Sequence, residues 1–183
     1  SGNMGLAQGL EVIIKTAESL LDYPINFRFI GDGIKKQSLI DLAKAKKISN
    51  ITFEKPLSRI ELIKEMTKAT VCLVPLKDNK LFRTAIPSKI FEIMACRKPV
   101  ILGLKGDAEK IIKQNKCGLV VIPEDYEDYK KAILTYFNDK KLIKIHGNNS
   151  VNYVTENMQK DSLLSTFLTQ LKDKESLLNL NTL

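Results

Sequence analysis

Histidine is almost absent from this chain: His146 stands alone among 183 residues. A histidine-based metal centre or a Ser-His-Asp triad needs imidazole beside partners at set spacings, and no carboxylate is so spaced around His146, which lies in a late polar stretch. Cysteine is scarce as well. Cys72, Cys96 and Cys117 lie in or beside apolar segments with no CxxC pair, a pattern of buried reduced thiols rather than disulfides or zinc ligands, and one that suits a cytoplasmic setting. No apolar run approaches the roughly 20 residues of a membrane-spanning helix, and Ser1 to Gly5 lack the basic-then-apolar pattern of a signal peptide. There is no GxxxxGK[ST] loop, which argues against a phosphate-loop NTPase.

What is present is enough for one domain, with 44% hydrophobic residues to build a core. A net charge of +8 invites an anionic partner: nucleic acid, a phosphorylated ligand or an acidic membrane face. The lysines scatter over many segments without interleaved aromatics, which argues against nucleic acid. Pairs such as Lys46-Lys47 and Lys140-Lys141 read as solvated helix faces.

Apolar spacing predicts a first helix through Leu6, Leu10, Ile13, Ile14, Ala17 and Leu21, stopped by Asp22 and Pro24. A short strand follows at Phe27 to Ile30, closed by Gly31-Asp32-Gly33, and a second helix runs through Leu39, Ile40, Leu42 and Ala43. The alternation continues with strand at Ile51 to Phe53, helix at Arg59 to Lys68, and a strand buried on both faces at Thr70 to Leu76. Beyond a polar loop, Pro87 opens a helix reaching Ala95, and Pro99 to Leu102 is a strand. A helix at Asp107 to Gln114, a strand at Gly118 to Ile122 and a helix at Glu124 to Phe137 come next, with helical periodicity alone from Lys140. Strands separated by crossover helices predict an α/β fold: a Rossmann-like, doubly wound, mostly parallel sheet with helices on both faces. The domain is expected over residues 1–171, with a polar tail at 172–183. Gly2-Asn3-Met4-Gly5 reads as a turn before a helix, and such turns normally follow a strand, so a truncated first strand is expected.

Open α/β sheets bind ligands at the carboxyl ends of their strands. Four turns qualify there: Asn3 to Gly5, Gly31 to Gly33, Phe53 to Leu57, and Arg83 to Glu92. In the last, Arg83-Thr84-Ala85-Ile86-Pro87-Ser88-Lys89 enters a helix whose first amides are unpaired, which is a site for phosphate. Lys89 adds charge, Ser88 a hydroxyl, and Arg83 a fork for phosphate oxygens. Glu92, on the same face as Lys89, either accepts from ribose hydroxyls or simply pairs with Lys89 at the surface. Gly31-Asp32-Gly33 departs from GxGxxG because Lys36 replaces the third glycine; it is either a turn needing positive φ or a backbone wall of a nucleotide pocket. Glu124, Asp125, Asp107 and Glu109 read as helix caps.

With these residues in view, the chain resembles the C-terminal, donor-binding domain of family 4 glycosyltransferases of the GT-B fold, of the kind that build bacterial surface polysaccharides such as capsule. The resemblance runs through Gly2-Asn3-Met4-Gly5, Ala7-Gln8-Gly9-Leu10, Phe29-Ile30-Gly31-Asp32-Gly33, Asn50-Ile51-Thr52-Phe53 and Pro87-Ser88-Lys89-Ile90-Phe91-Glu92-Ile93-Met94-Ala95. Lys98-Pro99-Val100-Ile101, Gly106-Asp107-Ala108-Glu109, Cys117-Gly118-Leu119-Val120-Val121 and Gly147-Asn148-Asn149 complete it.

That resemblance implies retaining transfer of a sugar from a nucleoside diphosphate donor, most often a uridine one, with no bound metal or other cofactor. Lys89 and Arg83 would be the catalytic cations. Glu92, Ser88, Lys89, Arg83, Asn3, Gly5, Gly31 and Gly33 would bind the donor. Glu92 matches the second glutamate of the family's pair; Thr84 stands where the first is expected, and the family's arginine and lysine after the first strand are replaced by Asn3, Met4, Gly5 and Leu6. The acceptor would bind a missing N-terminal half, so the isolated chain is expected to bind nucleotide without transferring sugar. A peripheral position at the anionic inner membrane face is the further expectation. The alternatives are half of a nucleotide-sugar epimerase on the same fold, or a basic module for nucleic acid or protein.

Overall fold

The computed structural model describes residues 1–158. Six strands alternate with seven helices among them: β1 Gly2–Asn3, α1 Glu11–Glu18, β2 Phe27–Asp32, α2 Lys36–Ala45, β3 Ile51–Glu54, α3 Arg59–Lys68, β4 Cys72–Pro75, α4 Ser88–Ala95, β5 Val100–Gly103, α5 Asp107–Gln114, β6 Gly118–Val120, α6 Tyr126–Asn138 and α7 Lys140–Asn157. Every strand pairing is parallel. The α/β, Rossmann-like expectation holds. The proposed tail at 172–183, and the end of the expected domain, lie outside the described residues.

Helix starts explain several boundaries. The Ser58 hydroxyl accepts from the Glu61 amide, and the Glu61 carboxylate in turn accepts from the Ser58 amide at 2.9 Å, a capping box that opens α3. Such a cap is worth about 1 kcal/mol. Asp125 and Asp139 accept from first-turn amides of α6 and α7. Glu109 reaches back to the Gly106 amide at 3.2 Å to open α5.

Two buried layers sandwich the strands. On one face Ile14, Ala17 and Leu20 of the α1 region pack with Phe27, Phe29, Leu39 and the α6 residues Tyr129 and Tyr136. On the other, Ile63 and Met66 of α3 join Ile90, Ile93 and Met94 of α4 with Val74, Val100, Leu102 and Ile112. Arg28 ties the layers at the edge, bridging Glu54 with two bonds of 2.7 and 2.8 Å and Glu65 of α3 at 2.7 Å. His146 is buried instead of lying in a polar stretch, and its Nδ1 meets the Tyr136 hydroxyl at 2.7 Å.

The single sheet expected from sequence is divided. β1-β2-β3 form one three-stranded sheet and β4-β5-β6 another, with no backbone ladder joining them. Three expectations change accordingly. Gly2-Asn3 is a strand of two residues against Gly31 and Asp32, not a turn. The strand at β4 is not buried on both faces, since only Val74 is fully enclosed, because its edge toward β2 is open. The first helix is not continuous. Gly9, at φ 55, breaks it after the 3-10 turn Leu6–Gln8, and Leu6 and Leu21 end exposed.

Candidate functional site

The carboxyl ends of β1, β2 and β4 and the start of α4 meet around a hollow of about 320 Å³. Asn3, Gln8, Pro75, Pro87, Ser88 and Lys89 are among the residues that line it. The α4 opening is bare: Pro87 offers no side-chain cap to the first amides, whereas Ser58 and Asp125 cap the helices after β3 and β6. Pro87 suits this place because it has no amide hydrogen to leave unpaired, and its ring holds φ at −59° at the N-cap.

Lys89 is half-buried at this opening and its ammonium donates to the Ser1 carbonyl. Burial holds its pKa below the ordinary lysine value, while the Glu92 carboxylate and the Cys72 thiol pull it back up. No carboxylate lies within ion-pair distance of Lys89 among the described residues, so this partly dehydrated cation is only weakly neutralised. An anion entering the hollow would find one charge and uncapped helix amides together.

The remaining expected residues fall into two groups. Asn3 is exposed at the end of β1 and shares the hollow with Ser88 and Lys89. Gly5 adjoins Asn3 and donates its amide to the Gln8 side chain at 3.0 Å. Glu92 is half-buried one turn beyond Lys89, on α4 but not in the lining of the hollow. Arg83 closes the short 3-10 turn Lys80–Phe82 and pairs with Asp78 at 3.3 Å, also outside that lining. Gly31 and Gly33 adopt φ 139 and 153 and press against the β1 backbone; a Cβ on Gly31 would strike the Gly2 carbonyl, and one on Gly33 that of Met4. Their conformation serves the close approach of β1 to β2.

Several residues do work that the sequence did not assign them, and Glu124, expected as a helix cap, is not a cap. Lys36, where a dinucleotide fingerprint would have glycine, donates to the carbonyls of Gly31 and Glu54 at 2.7 and 2.8 Å and clamps the ends of β2 and β3. Asp78 collects Arg83 and, at 3.8 Å, Lys105. Glu124, at φ 61, accepts from the Asp78 amide at 3.1 Å and anchors the same loop, a contact of residues far apart in sequence. Its neighbour Asp125 is the cap expected of it.

A family model described as "Glycosyl transferases group 1" matches residues 1–153. The putative colanic acid biosynthesis glycosyl transferase WcaI of Escherichia coli (strain K12) is 25% identical over 175 residues, covering 94% of this chain and 42% of its own length. The chain thus spans about two fifths of that relative. Among solved structures, HepE of Anabaena in complex with UDP-glucose superposes with a TM-score of 0.73 at 15% identity, over 96% of this chain and 48% of that one. The C-terminal domain of LpcC, a glycosyl transferase group 1 family protein of Francisella tularensis, superposes with a TM-score of 0.69 at 19% identity, over 87% and 86%. These superpositions establish the GT-B type of fold.

Proposed function

Because this chain belongs to the group 1 glycosyltransferases, we propose that it is the donor-binding half of a retaining enzyme that moves a sugar from a nucleoside diphosphate, most naturally UDP, to a saccharide or lipid-linked acceptor of a surface polysaccharide. The observation that carries this reading is the uncapped start of α4 opening with Ser88 and the dehydrated Lys89 onto the hollow at the strand ends. A diphosphate placed there receives helix amides and an ammonium without any metal. The UDP-glucose held by the similarly folded HepE supports the choice of ligand.

Charge accumulates on the diphosphate as the bond to the sugar breaks, and donors fixed in advance stabilise it as it forms. Lys89 and the Ser88 amide and hydroxyl would take this part directly. Arg83 would join by leaving Asp78, since an exposed pair of this kind costs only about 0.2–1 kcal/mol to break. Glu92, one turn deeper on the same face, would accept from the ribose hydroxyls, and Asn3 would border the donor from β1. The acceptor would sit on a separate half of the enzyme.

Titration calorimetry of UDP into the purified chain tests the proposal, with saturable binding expected and no sugar transfer by this chain alone. Absence of binding at millimolar UDP, or turnover without further polypeptide, overturns it. The net +8 charge suits a peripheral position on anionic lipid, where co-flotation with anionic but not neutral liposomes is expected.

A further inference from the structure

Gly5 is a glycine for a reason its backbone does not supply. Its φ is −96° and its ψ −175°, extended values that any residue adopts. What forbids a side chain is crowding: a Cβ built on Gly5 would lie 2.9 Å from the Asn3 Nδ2 and 2.9 Å from the Gln8 Oε1. Two side-chain amides, one from β1 and one from the 3-10 turn behind it, therefore close over the same α-carbon, and both line the hollow at the start of α4.

The orientation of Gln8 is fixed. The Gly5 amide donates to its Oε1 at 3.0 Å, and since a backbone N–H can meet only the oxygen end of a side-chain amide, both Nε2 hydrogens are left free. Neither the Gln8 Nε2 nor the Asn3 side chain has a hydrogen-bond partner among the described residues. The turn that carries Gln8 is pinned to the loop after β4, where the Lys77 amide donates to the Ala7 carbonyl at 2.9 Å, and it ends at Gly9, φ 55, against the Lys77 side chain. At the start of β1, Gly2 lies under Lys89, whose Nζ would be 3.0 Å from a Cβ placed there. The ammonium and the amide pair thus stand three residues apart, at most about 11 Å of chain.

We propose that Gln8, supported by Asn3, determines which sugar the site accepts: its Nε2 donates to a hydroxyl or carbonyl oxygen of the donor's sugar, while Lys89 and the α4 amides hold the diphosphate. The chemistry divides the two walls of the hollow. Ionised phosphoryl oxygens gain most from ionised partners, and the cation stands on α4. Neutral donors held in advance discriminate among neutral acceptors, because a sugar whose oxygen is missing or misplaced leaves the site's polar groups unpaired. A sugar attached to a diphosphate seated at Lys89 is the part of the donor that reaches the β1 wall. The assignment deepens the donor reading above and rests on it.

Calorimetric Kd values for UDP, UDP-glucose, UDP-galactose and UDP-N-acetylglucosamine, measured on the parent and on Gln8→Glu, Gln8→Met and Gly5→Ala, test it. Glutamate keeps an acceptor for the Gly5 amide and removes only the Nε2 donors; methionine removes both groups without adding charge; alanine at Gly5 displaces both amides without backbone strain. In all three, the ratio of Kd for the best-bound sugar nucleotide to Kd for UDP is expected to rise roughly threefold or more, the loss of one neutral hydrogen bond, and the preference among the sugars to flatten. A ratio unchanged for every sugar in Gln8→Glu and Gln8→Met overturns the proposal, including the case in which affinity for UDP and for the sugar nucleotides falls equally, which marks Gln8 as a support of the turn alone. Absence of UDP binding by the parent is the separate failure of the donor reading, and the proposal falls with it.

Discussion

Replacing Lys89 by alanine separates a cation kept for a ligand from one kept for the fold. In the free chain its ammonium is half-buried, meets the Ser1 carbonyl, feels Glu92 at a distance, and sits below its ordinary pKa because burial disfavours the charged form. Removing it relieves a dehydrated charge, so the melting temperature is expected to hold or rise. In the complex the same ammonium would bond to the diphosphate, an interaction with a charged partner worth about 1.5–3 kcal/mol, or roughly 10- to 150-fold in Kd. Calorimetric Kd values for UDP, read beside thermal melts, give both quantities. An alanine variant that binds UDP as the parent does refutes the assignment, and so does one that loses stability while its affinity stands.

The pH dependence carries an independent sign. A lysine depressed in the native state binds fewer protons folded than unfolded, so its contribution to stability rises with pH between its lowered value and the ordinary value of about 10.4. Affinity for the anion runs the other way over the same window, since the neutral amine no longer attracts phosphate. The affinity gap between parent and Lys89→Ala should therefore narrow as pH rises from neutrality toward 10; a constant gap would place the charge elsewhere.

Glu92→Ala should cost about 1.5–3 kcal/mol in UDP affinity and much less for 2′-deoxy-UDP, because the carboxylate is assigned to the ribose hydroxyls; equal losses for both ligands, measured by calorimetry, would leave it as a partner of Lys89 alone. Asp78→Asn should tighten UDP binding by freeing Arg83, with a stability loss under about 1 kcal/mol for so exposed a pair, and unchanged affinity would take Arg83 out of the site. Tyr129→Phe should raise stability by about 1–3 kcal/mol in a thermal or urea melt. The Tyr129 hydroxyl is fully buried without a hydrogen-bond partner among the described residues, and burial pushes its pKa far upward.

Where a segment's own residues decide its structure, the sequence is legible. The helix bounds Arg59–Lys68 and Asp107–Gln114 follow from capping residues and apolar spacing, and the structure has the same bounds. The first helix fails because apolar spacing counts Leu6 and Leu21 as core and takes no account of the left-handed turn at Gly9. Burial of the strand at Cys72–Pro75 fails for a different reason: enclosure depends on what lies beside its edge, and no residue within the strand encodes that. The same contrast runs through the site. The Pro87-Ser88-Lys89 opening is local and readable, whereas Asp78 holding Arg83 and Lys105, and Glu124 holding the Asp78 amide, join loops that only the fold brings together.

β1 also supports the donor hollow, since Ser1, Gly2 and Asn3 line it together with Lys89. β1 is held by its pairing with Gly31 and Asp32, by the Met4 amide on the Asp32 carbonyl at 2.7 Å, and by the Lys35 amide on the Met4 carbonyl at 2.9 Å. That short ladder presents Asn3 to the donor site and places the Ser1 carbonyl against Lys89. Gly31 and Gly33 let it lie close by having no Cβ, which is why substituting either would move β1 before it touched any ligand. Glycine-bearing turn, β1 and helix opening thus act on one lysine, and the order of that lysine sets how much of the binding energy remains for the departing charge.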